Sequence, residues 1–519
     1  MLPGRFARLL LVLGTAVLSG GGCMRPQESG HSDLVVMTPP DGVLPSVAPV
    51  EPAEAHNVLL VTIDTLRADH LHCYGYERQT APQIDALAAK GTLFEQCSVQ
   101  WPKTGPSMAS MLSSTYGSTS GVARKTLKFK VPLHYELLPE LFREAGFETF
   151  GTVANLSLSE KFQYDQGFER FHVHPGDEST GNRVTDKAIE QFSSRLDPAR
   201  PFFAWVHYLD PHAPYQQGRE YLGGFRRDEL YKRTAGEVLA VDPKALDPSV
   251  SSPPNNDIGM VPAYAHLDFA KELRDYVAAY DADIRFLDDQ LGRLLDWMAG
   301  KGLLERTIIV VTADHGEGLG GHDYYFEHGR LPYDDCARVP LIVVHPKWAP
   351  RRVSEPVALM DLAPTLLEDA GIRTGWQFEG QSLLPWLAAG APPDSARPVF
   401  IESGYAEKFE VSIRRGRWKL ICFGEKWVAN LIGASKYELY DVVADPLETR
   451  NLVDEEPDVA AELRELLDAY AKSAWSKRPP DPSGVDLTPE ERAELKRLGY
   501  ADDGDEGEQD EDRADGAQH

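Results

Sequence analysis

Four runs of β-forming residues stop abruptly at ionisable or amide side chains. Val58 to Ile63 ends at Asp64, Phe150 to Val153 leads to Asn155, Phe202 to Val206 ends at His207, and Thr307 to Val311 runs on to Asp314-His315. A fifth position, Thr104, stands two residues before Pro106 at the start of a helical stretch that ends near Ser114. That spacing suits an N-cap with proline in the first turn. The positive end of such a helix stabilises an anion, and a hydroxyl there becomes a nucleophile once its proton is removed. Each residue also has a plainer reading. A strand-end Asp or Asn commonly caps a helix or bonds a loop, an Asp-His pair can do the same, and Thr104 could simply cap its own helix.

These residues need a scaffold that gathers them. Further apolar runs occur at Leu341 to Val344 and Val357 to Leu359, and helical patterns lie between the runs at Ala81 to Lys90, Tyr135 to Ala145, Val184 to Leu196, Leu273 to Leu304 and Leu362 to Ala370. Continuous apolar strands alternating with amphipathic helices predict an α/β fold, a mainly parallel central sheet with helices on both faces. Ligands of such sheets bind outside the carboxyl ends of the strands, where Asp64, Asn155, His207 and Asp314 would meet. Beyond about Pro393 the pattern changes to short segments, Val399 to Glu402, Val411 to Arg414, Trp418 to Cys422 and Tyr437 to Tyr440, followed by a helix from Val459 to Ala474 and by Pro479-Pro480. This predicts a small C-terminal α+β subdomain with an antiparallel sheet. There is no internal repeat.

The start of the chain reads as an address. Arg5 and Arg8 precede an apolar run from Leu9 to Leu18 and a small-residue stretch ending at Cys23, the pattern of a secretory signal. Residues 24–55 are rich in Pro, Gly and Ser and suit a linker. The expected layout is a signal at 1–23, this linker, a catalytic domain at 56–392, the subdomain at 393–478 and a tail at 479–519. The chain has 53 Lys+Arg against 80 Asp+Glu, a formal net charge of −27. That balance argues against nucleic acid, whose phosphates demand an excess of cations. Residues 502–519 carry nine of the acids and one Arg, so part of the excess is a solvated, disordered tail. Five scattered cysteines cannot build a disulfide framework or a CxxC zinc site, which leaves one isolated disulfide open.

Taken in order, Asn57 to Asp69, Ala81 to Ala88, His207-Tyr208-Leu209-Asp210-Pro211-His212-Ala213-Pro214-Tyr215, Thr312-Ala313-Asp314-His315-Gly316-Glu317, Arg338 to Val343, and Glu438 to Asp441 with Asp445-Pro446 resemble the sulfatases of the alkaline phosphatase superfamily. The resemblance covers most of the chain. It implies an α/β sandwich, a divalent metal, a nucleophile beside it and basic residues around an anionic ester. It places Asp64, Asp314 and His315 on the metal with Thr104 closing the set, and puts His212 and His328 near the ester oxygens. Lys103, Arg67 and Asn155 become substrate-binding candidates, with a solvated surface role as the alternative. Cys23 resembles a bacterial lipoprotein acylation site, although Gly20 stands where that signal prefers Leu; the alternative is plain cleavage nearby. The resemblance and the signal imply export to a bacterial cell envelope or periplasm, with membrane contact only through an N-terminal lipid anchor.

The segment Pro102 to Leu112 departs from that pattern. Similar sulfatases place a Cys or Ser where Thr104 stands and an Arg where Met108 stands, and oxidise the Cys or Ser to formylglycine. Thr104 cannot give that aldehyde, so no formylglycine is expected, whereas related phosphodiesterases and phosphotransferases use an encoded Thr. Thr65 replaces a second Asp of the metal set, which weakens a calcium-type site and suits zinc or manganese at least as well. A second metal would draw on His207, Asp210 and His322. The favoured expectation is a metal-dependent hydrolase or transferase of phosphate esters with Thr104 as nucleophile, acting on a lipid headgroup or glycan. The alternatives are a sulfuric ester hydrolase without formylglycine and a non-catalytic anion-binding module.

Overall fold

The computed structural model describes residues 55–122, 130–176, 179–195, 197, 199–233, 240–241, 260–388, 397–404, 410–424, 436–477 and 485–498. The expected signal, Cys23, the linker up to residue 54 and the acidic residues 502–519 lie outside the described residues, whereas residues 485–498 of the expected tail are described and form the helix Pro489–Arg497 with Leu495 buried. The strands in chain order are β1 (Asn57–Ile63), β2 (Thr92–Ser98), β3 (Glu148–Val153), β4 (Arg170–Val173), β5 (Phe202–Tyr208), β6 (Ala240–Val241), β7 (Met260–Val261), β8 (Thr307–Ala313), β9 (Arg338–Val344), β10 (Arg351–Val353), β11 (Val357–Ala358), β12 (Val399–Ser403), β13 (Glu410–Arg415), β14 (Trp418–Phe423) and β15 (Lys436–Asp441). The central sheet runs β10-β2-β9-β8-β1-β5-β3-β4, with β11 beside β2, and β6 and β7 pair only with each other. Every neighbour in the central sheet is parallel except β9, which is antiparallel to both β8 and β2.

β1, β5 and β8 are buried at all seven of their positions. Successive strand side chains point to opposite faces, so burial at every position requires cover on both faces. Register then decides what meets at the carboxyl edge. Ile63 lies opposite Ala313, which places Asp64 beside Asp314, and Thr62 and Val153 both lie opposite His207. A slip of one residue would turn each of these side chains to the other face.

Several boundaries differ from the periodicity. The helix expected from Tyr135 begins at Leu138, where Pro139 occupies the first turn. The long helix Leu273–Gly300 stops before Leu304 because the chain turns through Gly302 at φ +65°. β2 and β4 have no clear pattern in the sequence: β2 carries an irregularity between Phe94 and Cys97, and β4 is a half-buried edge. Thr104 is not the N-cap. Extended Lys103 (φ −147°, ψ 138°) holds that place, and Thr104 is the first residue of the fully buried helix Thr104–Ser113. Its hydroxyl is thereby one step inside the cap position and faces the strand ends.

β12 to β15 form the antiparallel sheet, and the helix Pro457–Lys477 packs on β13 and β14. Val411, Ile413, Leu420, Leu439, Leu463 and Leu467 build its apolar core together with Trp101, which is 2% exposed. Gln100 accepts the amide of Glu402 at 2.8 Å, so the C-terminal sheet grips the chain immediately before Lys103 and Thr104. Cys73, Cys97, Cys336 and Cys422 are free thiols.

Candidate functional site

Asp64, His207 and Asp314 each direct one ligand atom into a group whose atoms lie within 4.8 Å of one another, and all three residues are buried. His315 closes on the same point, with Nε2 3.7 Å from Asp64 Oδ1 and 3.4 Å from Asp314 Oδ2. Thr104 Oγ1 stands 3.2 Å from His315 Nε2 and also bonds the Asp314 carboxylate. Asp64 Oδ1, His207 Nε2 and Asp314 Oδ2 are buried without a hydrogen-bond partner. Orphaned buried polar atoms are costly. Convergence of a carboxylate pair and an imidazole on one point is the arrangement that a divalent cation resolves, so the donors fit the implied metal.

The surroundings orient these donors. Asn155 Nδ2 donates to Asp64 Oδ2 at 2.9 Å, Thr65 N donates to Asp314 Oδ1 at 3.1 Å, and Ser107 Oγ donates to the Asp314 carbonyl at 2.5 Å. Thr65 does so from a left-handed backbone (φ 57°), uncommon for a β-branched residue, while Tyr280 donates to its carbonyl at 2.7 Å. His315 Nδ1 lies 2.8 Å from the Gly316 carbonyl. Nδ1 therefore carries the proton and Nε2 presents its lone pair to Thr104 and the carboxylates. The same logic applies to His212, whose Nδ1 is 2.8 Å from the Ala213 carbonyl and whose Nε2 is buried without a partner.

The protonation pattern follows from burial and charge. Burial, reinforced by the Asp64 charge, pushes Asp314 well above the carboxylate range. Burial also opposes ionisation of Asp64, but His212, His207 and His315 outweigh it and hold Asp64 low. Burial brings His315 down to about 3 and lowers His212 and His328. The imidazoles are thus neutral donors of lone pairs, and the carboxylate pair by itself retains a proton that a cation would displace.

Of the expected anion-binding residues, His212 and His328 are in the site. Their rings lie 5.2 Å apart, and His328 stacks on His315 at 4.2 Å. Lys103 acts electrostatically on His212, His315, His328 and Glu317, and its stem fills the space above Gly329, where a Cβ would meet its Cδ at 2.9 Å. Arg67 is placed differently. Its guanidinium is committed to Asp69 through bonds of 2.9 and 2.8 Å and to the Glu317 carbonyl at 3.0 Å, so it braces the loop rather than facing an ester. Asn155 likewise holds Asp64, with its Oδ1 accepting from Ser157.

Of the residues set aside for a second metal, His207 belongs with Asp64 and Asp314. Asp210 turns instead to the Gly181 amide at 2.8 Å, and His322 lies in another group. The strand-end pattern pointed to His207, but only the β1–β5 register shows which metal position it joins. Sequence reading did not single out Ser107, nor Tyr215, whose hydroxyl lies 3.2 Å from Glu317 Oε2. A lone Ser or Tyr carries no such signal.

A family model described as Sulfatase matches residues 56–372, and one described as N-sulphoglucosamine sulphohydrolase, C-terminal, matches residues 320–473. Among curated proteins, the chain is 24% identical to an N-acetylglucosamine-6-O-sulfatase of Bacteroides thetaiotaomicron, covering 91% of this chain and 92% of that protein. It is 25% identical to a choline-sulfatase of Rhizobium meliloti, covering 77% and 82%. Among solved structures, one complex with the substrate D-glucosamine-2-N,6-O-disulfate aligns with a TM-score of 0.65 at 23% identity, covering 82% of this chain and 99% of the other. A phosphonate monoester hydrolase of Agrobacterium radiobacter aligns with a TM-score of 0.60 at 20% identity, covering 81% and 96%. At those identities the structural matches speak to the fold.

Proposed function

The chain belongs to the sulfatase family of the alkaline phosphatase superfamily and is a hydrolase of that family, and from this premise we propose that Thr104 is its nucleophile and phosphate esters its substrates. The observation that carries this is the position of Thr104 Oγ1, fully buried at the positive end of its helix, bonded to Asp314 and 3.2 Å from the His315 lone pair. Asp64, Asp314, His207 and His315 would hold a divalent cation, for which two imidazoles favour zinc or manganese over calcium. A cation bound there lowers the pKa of the hydroxyl and neutralises ester oxygens.

The residues of the chain do the rest. Asp314, whose carboxylate already bonds the hydroxyl, receives the Thr104 proton, the oxygen attacks phosphorus, and the P–O bond to the leaving group breaks, giving phospho-threonine and an alkoxide that takes its proton from solvent water. Lys103 balances the charge of the phosphoryl oxygens, and His328, neutral, acts on them only through a hydrogen bond. His212 Nε2, unprotonated and unpartnered, takes a proton from the water that then cleaves phospho-threonine. With an acceptor alcohol in place of that water the same steps make a transferase.

Sulfate ester hydrolysis is the second reading, supported by the sulfatases among the relatives and their sulfated sugar substrates. An unmodified Thr makes it the weaker one, because a sulfo-threonine has no aldehyde hydrate through which to eliminate sulfate. A glycan or a lipid headgroup supplies the ester under either reading, and the leader at 1–23 supports action outside the cytoplasm. Among the described residues no helix is long and apolar enough to cross a membrane.

The test is turnover of matched aryl phosphate and aryl sulfate esters by protein reconstituted with zinc, manganese or calcium, with quenched samples mapped for a modified Thr104 peptide. Phosphate turnover with a phosphoryl group on Thr104 is expected. Sulfate turnover alone would select the second reading, and no turnover on any ester would reject both.

A further inference from the structure

A second group of side chains able to hold a cation lies outside the Asp64 group. His322, Asp335 and Glu448 each offer one ligand atom, and the three atoms lie within 4.8 Å of one another. They come from three separate stretches: the loop after β8, the helix turn Asp334–Ala337 before β9, and the segment after β15.

The state of His322 points to a ligand. Its ring lies flat on Tyr333, with centroids 3.5 Å apart and planes within 1°, and the Tyr333 hydroxyl is tied to Glu438 at 2.6 Å. The Leu447 carbonyl bonds the imidazole, whereas Nε2 is buried without any hydrogen-bond partner. Nδ1 therefore donates to Leu447, and the lone pair stays on Nε2, which is the tautomer and orientation in which imidazole ligates a metal. A buried lone pair beside two carboxylates and without a donor is otherwise an uncompensated loss of solvation.

The carboxylates are equally fixed. Glu448, 2% exposed, accepts from the Asp334 amide at 2.6 Å and pairs with Lys419 at 2.9 Å. Asp335 pairs with Arg67 at 3.4 Å. Gly321 is what lets Asp335 approach, since a Cβ there would lie 2.3 Å from Asp335 Oδ2. His322 itself sits in the left-handed region (φ 56°) with its ring stacked on Tyr333.

We infer that His322, Asp335 and Glu448 bind a second divalent cation of the zinc or manganese class, separate from the Asp64 centre. One imidazole and two carboxylates make three protein ligands, and water completes a four-coordinate set. The segment this cation would pin is the one behind the catalytic edge: Gly316 N donates to the Cys336 carbonyl at 2.8 Å and Glu317 N to the Asp335 carbonyl at 3.1 Å. The cation would fasten that segment to the chain leaving the C-terminal sheet, a structural role independent of which ester is cleaved.

The experiment uses the full chain, stripped with chelator and titrated with Zn²⁺ or Mn²⁺ alone, with stoichiometry read by calorimetry and elemental analysis. His322→Phe keeps a ring on Tyr333 but has no lone pair, and it is expected to bind one equivalent fewer than the wild type. In an Asp64→Asn/Asp314→Asn background, which disables the first centre, one equivalent should remain and vanish on adding His322→Phe. Unfolding midpoints separate ligation from folding. In chelator the parent and His322→Phe should melt alike, and the cation-induced rise assigned to this site should occur only in the parent. Unchanged stoichiometry in His322→Phe, or an equal rise in both, overturns the inference. Glu448→Gln, which preserves shape, should weaken the site at least about tenfold.

Discussion

Serine and alanine at position 104 separate the hydroxyl from the rest of the side chain. Thr104 is fully buried, so Thr104→Ser removes one buried methyl and costs about 1 kcal/mol of stability. The serine hydroxyl also loses the rotamer restriction of a β-branched residue. If one of three staggered wells points Oγ at His315, regaining it costs about 0.6 kcal/mol, or roughly a threefold fall in rate. Thr104→Ala deletes the same methyl environment plus one hydrogen bond to Asp314, a further loss of about 1 kcal/mol. It also removes the attacking atom, so turnover should fall by at least about 10³. The two variants should therefore be close in unfolding midpoint and far apart in kcat. The assay is steady-state hydrolysis of an aryl phosphate at saturating cation, with denaturant unfolding run alongside. Serine and alanine variants equally inactive while both are folded would show that the hydroxyl is not the attacking group. Substantial turnover by the alanine variant would show the same.

Other outcomes follow from the same geometry. His207→Gln should raise the cation concentration for half-maximal activity by about 10–100-fold while excess cation restores the rate; an unchanged half-saturation would remove His207 from the ligand set. Trp101→Ala should cost about 3–5 kcal/mol in denaturant unfolding, because it empties the shared core of the C-terminal sheet and loosens the chain leading to Thr104. A loss below 1 kcal/mol would show that this anchor is not tight. Glu402 accepts from Ser118 N at 2.9 Å and Tyr470 at 2.7 Å, and burial pushes its carboxyl up to about 7 from 4.5. A raised folded pKa means that its contribution is full below about 4.5 and is lost as pH rises through 7. Wild type should lose stability between about pH 5 and 9 relative to Glu402→Gln, and parallel stability profiles for the two would contradict this.

The sulfatase fold was legible because its strands are continuous apolar runs, and such runs announce a sheet covered on both faces wherever it lies in the chain. Polar residues at or near their ends, Asp64, Asn155, His207 and Asp314-His315, marked the candidate edge for the same reason: a buried polar side chain needs a partner, and His207, carried inside β5, has Thr62 beside it at 2.9 Å. Thr104 was marked by Pro106 and by its departure from the formylglycine pattern. Less visible were β2, broken by an irregularity, and β4, an edge with no full burial to pattern it. The cap position also went to Lys103, which carries no capping side chain at all.

Amino-acid order by itself determined the classes of group present and the elements that carry them, because periodicity and capping act over a few neighbouring residues. Tertiary structure alone decided their partners. It set His207 with Asp64 rather than in a second centre, turned Arg67 to Asp69 and Glu317, and drew His322 to Asp335 and Glu448. The long-range choices, His207 with Asp64, Arg67 with Glu317 and His322 with Glu448, follow from strand register and loop closure between positions far apart in the chain, and side-chain chemistry has no means of encoding such distances locally.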